Sequence, residues 1–122
     1  MKLELVAVPV SDVDRAKRFY VEQVGFNADY DVTPSEQIRF VQLTPPGSAC
    51  SIVIGKGITE AEPGSAPGMT LVVTEIDAVR SELAERGVDI SEARMMPWGA
   101  RHARFTDPDG NPWELQQLAN RY

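Results

Sequence analysis

The chain predicts an α+β fold made of two tandem βαβββ modules, and three observations carry that reading. First, Ser11-Asp12-Val13-Asp14, after the apolar run Val6–Val10, returns 63 residues later as Thr74-Glu75-Ile76-Asp77 after Met69–Val73. Second, the apolar face Val13, Ala16, Tyr20 returns as Ile76, Val79, Leu83 at the same offset. Third, Pro45-Pro46-Gly47-Ser48 returns as Pro108-Asp109-Gly110-Asn111, and a strand-like run follows each. One residue slips in between, because Gly25-Phe26 matches Gly87-Val88 at 62. A duplicated unit of this size predicts a pseudo-symmetric molecule with its site where the copies meet.

The elements follow in order. Leu3 to Val10 is β-rich and stops at Ser11-Asp12, a natural helix N-cap with Asp14 as a short-armed capping-box partner. Val13, Ala16, Tyr20 and Val24 share one helical face, and Gly25 supplies the left-handed stop. Strands are predicted over about Asn27–Val32, Ile38–Thr44 and Ala49–Ile54, the last two joined by Pro45-Pro46-Gly47. Residues 55–67 carry three Gly and two Pro among small polar residues and read as a linker. The second copy gives strand Met69–Val73, helix Glu75–Arg86 and strands near Asp89–Arg94, Arg101–Thr106 and Trp113–Leu118. The expected organisation is one domain: module one over about residues 1–56, a linker over about 57–67 and module two over about 68–122. With one helix per module, each sheet is covered on one face only, and the other is free to curl around a cavity.

Composition narrows the function. A length of 122 residues suits one domain with its own core. The net charge of −6, with Lys17, Arg18, Arg39, Arg80, Arg94, Arg101 and Arg104 scattered, argues against a nucleic-acid or membrane partner. No run approaches the roughly eighteen apolar residues of a membrane span. The N-terminus enters a strand pattern with no signal-peptide layout. The lone Cys50 excludes an internal disulfide, fits a reducing cytoplasm and reads as a buried structural thiol. A cytoplasmic location is expected. There is no Gly-rich phosphate loop, no nucleophile elbow, and no second His or Cys for a zinc site.

In combination, the Ser11-Asp12-Val13-Asp14-Arg15-Ala16 segment with Phe19-Tyr20, then Gly25-Phe26, a second strand–helix unit and the run Phe105-Thr106-Asp107-Pro108-Asp109-Gly110-Asn111-Pro112-Trp113-Glu114-Leu115 resemble the glyoxalase/bleomycin-resistance/dioxygenase superfamily, also called vicinal oxygen chelate proteins. The resemblance covers essentially the whole chain. It implies a U-shaped sheet enclosing a divalent metal or a ligand, with helices outside. In the enzymes of that family, four repeat-related side chains hold the metal. Carried over, those places fall on Leu5 and Gly68 in the first strands and on Ser51 and Glu114 in the last. Only Glu114 is a strong oxygen donor. Glu4, next to Leu5, would need a register slip to reach the same face. His102 is the only histidine, and with Glu114 it would give two donors, too few for a closed site.

Strand alternation gives a provisional cavity lining. Leu5, Ala7, Pro9, Gly68, Thr70 and Val72 come from the first strands, and Ser51, Val53, Glu114 and Gln116 from the last. Arg39, His102 and Arg104 are placed with them, and Met96 and Trp98 lie in a loop over the mouth. Trp113 alternates with Glu114 and is expected in the core. For His102 a rim position and a ligand contact both stand open, as do lid and plain packing for Trp98. Glu114 is read either as a general base or as a carboxylate ordered by Arg104 or His102.

The expected function is metal-free binding of a small organic molecule, aromatic or antibiotic in character, by a resistance or carrier protein. No cofactor is expected, with a divalent metal as the alternative. The alternative function is a lyase, isomerase or dioxygenase of the same superfamily, with Glu114 catalytic and, if a metal is held, Glu114 and His102 as ligands. A homodimer is expected, with cavities within each chain or shared between chains.

Overall fold

Each βαβββ pattern folds as its periodicity requires. The computed structural model describes residues 1–119. In module one, β1 (Leu5–Ala7) leads into α1 (Val13–Arg18), a π-helical continuation over Phe19–Val24, then β2 (Asn27–Ser35), β3 (Ile38–Thr44) and β4 (Ser51–Lys56). In module two, β5 (Met69–Val72) and α2 (Ile76–Glu85) precede β6 (Arg94–Met95), β7 (Arg101–Thr106) and β8 (Pro112–Gln117). The sheets have orders β1-β4-β3-β2 and β5-β8-β7-β6, so the duplication seen in sequence is a duplication of topology. In each, the first strand runs parallel to the last, and the remaining pairings are antiparallel.

Local signals explain most boundaries. The Asp12 carboxylate accepts the Arg15 amide and caps α1, whereas the Ser11 hydroxyl is bound to Asp109. Gly25 ends the helix at φ 96°, where other residues are strained. Before it, the amides of Gly25 and Phe26 both donate to the Tyr20 carbonyl, widening the last turn. One predicted strand is largely absent: only Arg94–Met95 pairs with β7. Upstream, the Ser91 hydroxyl accepts the Arg104 amide at 2.9 Å, so a side chain takes the place of a ladder carbonyl and residues 89–93 stay irregular.

The helix-side faces of both sheets form one core. Val41, Leu43, Ile52 and Ile54 from the first sheet join Ala103, Phe105, Trp113 and Leu115 from the second, with Ala16, Tyr20, Ile76 and Leu83 from the helices. Each such large side chain contributes about 1.5–3 kcal/mol on burial. Tyr20 packs on both Phe26 and Trp113, at 5.5 and 5.7 Å between ring centroids. Its hydroxyl donates to Asp107 and accepts from the Trp113 indole, and Asn111 ties Asp107 to the Pro9 carbonyl. Burial and the neighbouring Asp107 push the Tyr20 phenol well above its ordinary pKa, so it stays a neutral donor. Residues 64–66 are stitched into this network rather than loose, since Gly64 donates to the Pro9 carbonyl and Ala66 to the Asn111 side chain. The opposite face of each sheet is bare. No helix among the described residues is long and apolar enough to cross a membrane.

Candidate functional site

The two bare faces differ chemically, and the polar one carries the candidate site. In the β7–β8 ladder His102 stands opposite Gln116 and Arg104 opposite Glu114. Alternation sends Ala103, Phe105, Trp113 and Leu115 into the core, which leaves those four polar residues together outside. Thr70 and Val72 lie beside Glu114 and Gln116 on the parallel neighbour β5, and Gly68 precedes it.

The four polar side chains form one network. His102 Nδ1 lies 3.0 Å from Glu114 Oε2, and its Nε2 lies 2.8 Å from Gln116 Oε1. Arg104 Nε forms an ion pair with Glu114 Oε1 at 3.1 Å. Both carboxylate oxygens are therefore engaged, one by each partner. With acceptors at both ring nitrogens, the imidazolium satisfies the arrangement as it stands. The neutral ring does so after the Gln116 amide turns to present its NH2. Trp98 meets the His102 ring edge to face at 6.0 Å and is itself 64% exposed, so the indole is both oriented and open to a ligand. Ser91, Arg94, Met96, His102, Arg104 and Glu114 line a pocket of about 250 Å³ on this face.

The predicted lining divides between the sheets. Leu5, Ala7, Ser51 and Val53 share the bare face of the first sheet, where Leu5 pairs with Ser51 and Ala7 with Val53. None of them lines the pocket beside Glu114. A separate groove of about 290 Å³ at the seam between β1 and β5 touches Ser51 and Thr70, but its walls are mostly core-side residues such as Ile52, Leu71 and Trp113. Cys50 lines that groove too, half-buried and just outside β4, so it is not the buried strand thiol expected.

Arg39 is a correction. It lies on the same face of β3 as Val41 and Leu43, toward the helices, and binds Asp14 of α1 and Asp31 of β2 at 2.8 and 2.9 Å. Hydrogen bonds from Arg39 and then Lys17 hold the Asp31 carboxyl well below the usual carboxylate range. The repeat explains the misplacement: at an offset of 62, Arg39 matches Arg101, which binds Asp77 of α2 in the same way. The repeat counterpart of His102 is Phe40, which the alternation reading missed and the 62-residue offset could have found. Arg94 and Ser91 were also missed, because β6 is too short to carry a period.

The donors present do not fit the metal centre that the family resemblance implies. Leu5 and Gly68 offer no donor side chain, Ser51 is bonded to Thr44, and Glu114 is already held by two neighbours. Glu4 lies outside β1, with its carbonyl accepting the Ser51 amide, and is not part of the Glu114 pocket. Among the described residues no group of three or more His, Cys, Asp or Glu is arranged to hold a metal ion.

Comparison with known proteins agrees with this fold. The Glyoxalase/Bleomycin resistance protein/Dioxygenase superfamily profile matches residues 2–115. The chain is similar to the crystal structure of TnmS3, an antibiotic binding protein from Streptomyces sp. CB03234, at 40% identity and TM-score 0.86, covering 96% of this chain and 95% of that one. A superfamily member from Sphaerobacter thermophilus DSM 20745 matches at 34% identity and TM-score 0.86, over 97% of this chain and 98% of that one. The uncharacterized protein YetH of Bacillus subtilis (strain 168) is 27% identical over 114 residues, 92% of this chain and 94% of its own.

Proposed function

The chain belongs to the Glyoxalase/Bleomycin resistance protein/Dioxygenase superfamily, and from that premise we propose that it binds a small organic molecule on the bare face of its second sheet without a metal. The observation that carries the reading is the pocket itself: a methionine in its wall and a linked His102–Glu114–Arg104 cluster, with the exposed Trp98 indole against the His102 ring beside it. Apolar contact with a few fixed polar groups is the usual profile of a small-molecule site. The similarity to an antibiotic binding protein supports an antibiotic-like ligand.

The pocket is shallow within one chain, and a second copy completes it. Tyr30, Val32, Ile38, Leu5 and Val72 are exposed on the bare faces, apolar surface that a second copy would cover. In the homodimer the apolar face of one chain covers the polar face of the other, giving two equivalent sites.

Calorimetric titration with zinc, nickel, manganese and iron tests the metal-free reading; a stoichiometric site of sub-micromolar affinity lost in Glu114→Gln sinks it. Sedimentation tests assembly, and a monomer at tens of micromolar contradicts the shared site. One observation favours a second reading: a carboxylate bonded to an imidazole can pass a proton. Turnover of a candidate substrate that disappears in Glu114→Gln at saturating concentration would make the protein an enzyme.

A further inference from the structure

The pocket beside Glu114 runs against the charge of the molecule around it. The chain carries a net charge of −6, yet the charged walls of this pocket are Arg94, Arg104 and a single acid, Glu114. That acid is already shared between the Nε of Arg104 and the ring of His102. Arg104 therefore faces Glu114 through Nε and keeps its two terminal NH2 groups free, with the side chain 68% exposed. Arg94 makes no ion pair or side-chain hydrogen bond among the described residues. Asp89 lines the neighbouring groove rather than this one. One cation without a partner and one with donors to spare face the same space of about 250 Å³.

We infer that the ligand is a planar aromatic anion, an aryl carboxylate or phenolate, whose charged edge meets Arg94 and Arg104 while its ring lies against Trp98 and Met96. The inference rests on the ligand-binding reading and adds the sign of the ligand's charge. A guanidinium offers a fork of N–H donors that matches a carboxylate, and a charge-assisted contact is about twice as strong as a neutral one. The indole and thioether give broad contact to a flat ring without selecting its charge, so the discrimination belongs to the two arginines. Glu114 disfavours a second acidic group deeper in the pocket, which limits the ligand to one anionic edge.

The test uses three probes of equal shape: 2-naphthoate, 2-naphthamide and 2-naphthylmethylammonium, titrated calorimetrically into the intact protein at low and high salt. 2-Naphthoate should bind about tenfold more tightly than the amide, and the ammonium most weakly. The preference for naphthoate should shrink with salt, as exposed charges are screened. Arg94→Gln, at an exposed position without partners, should leave the thermal midpoint unchanged and weaken naphthoate binding far more than amide binding, removing most of the preference for naphthoate. Equal or tighter binding of the amide or ammonium overturns the inference while leaving the ligand-binding reading intact. Failure of all three to bind at millimolar concentration overturns both. A naphthoate preference that survives Arg94→Gln and Arg104→Gln also overturns the inference.

Discussion

The Tyr20 phenol, in the helix of the first module, donates a 2.7 Å hydrogen bond to Asp107 in the last turn of the second. The same oxygen accepts the Trp113 indole N–H at 2.9 Å, so one hydroxyl satisfies two buried partners.

Tyr20→Phe keeps the ring packing and leaves both partners short of a bond. Each such loss costs about 1–3 kcal/mol. Urea unfolding should show a lower midpoint with an unchanged slope. Combining it with Trp113→Phe should cost less than the sum of the single changes, since both break the same contact. Full additivity would mean that the network is not coupled.

Acid should act through Asp31. Its folded pKa is depressed by Arg39 and Lys17, so its contribution to stability is complete above the ordinary aspartate value of 3.8 and is lost as pH falls toward the folded value. Arg39→Gln should therefore be less stable than the parent at neutral pH, and the gap should narrow as pH drops below about 4. Thermal midpoints from pH 7 to pH 2 check this. A gap that widens in acid contradicts it.

Two glycines should respond oppositely to Ala. A Cβ on Gly55 would collide with the Arg39 carbonyl oxygen across the β3–β4 ladder, whereas one on Gly68 meets nothing. Gly55→Ala should cost several kcal/mol or prevent folding, and Gly68→Ala should stay within about 0.5 kcal/mol. Circular dichroism melts of the two variants separate the outcomes.

Trp98→Ala should weaken ligand binding by about tenfold, since losing a stacked aromatic removes about 0.5–1.5 kcal/mol beyond the area effect. At 64% exposure the indole supports little of the core, so the thermal midpoint should barely move. Unfolding of this variant would mean that the 96–99 turn is structural and the indole no ligand contact.

The repeat made the modules legible, because residues such as Val13 and Ile76 occupy the same place in two copies of one topology. Alternation placed His102, Arg104, Glu114 and Gln116 on one face because β7 and β8 are regular and directly paired. It failed at Arg39, where an error of one residue in phase exchanges the two faces of a strand and put a helix-binding arginine in place of Phe40. It failed at residues 89–93 because a serine hydroxyl replaced a backbone acceptor, which no periodicity records. The division of the lining between two faces depends on how the sheets dock, through contacts such as Asn111 to Pro9 that lie far apart in sequence.

The bond between Tyr20 and Asp107 also sets an order on biosynthesis. Its partners are separated by 87 positions, so the first helix leaves the ribosome long before the turn that will hold it. Until that turn emerges, Phe19 and Tyr20 lack Phe105 and Trp113 to pack on, and the nascent first module carries an uncovered aromatic face. A chain stalled before residue 107 is thus a sticky half-molecule with every element of its first sheet already made.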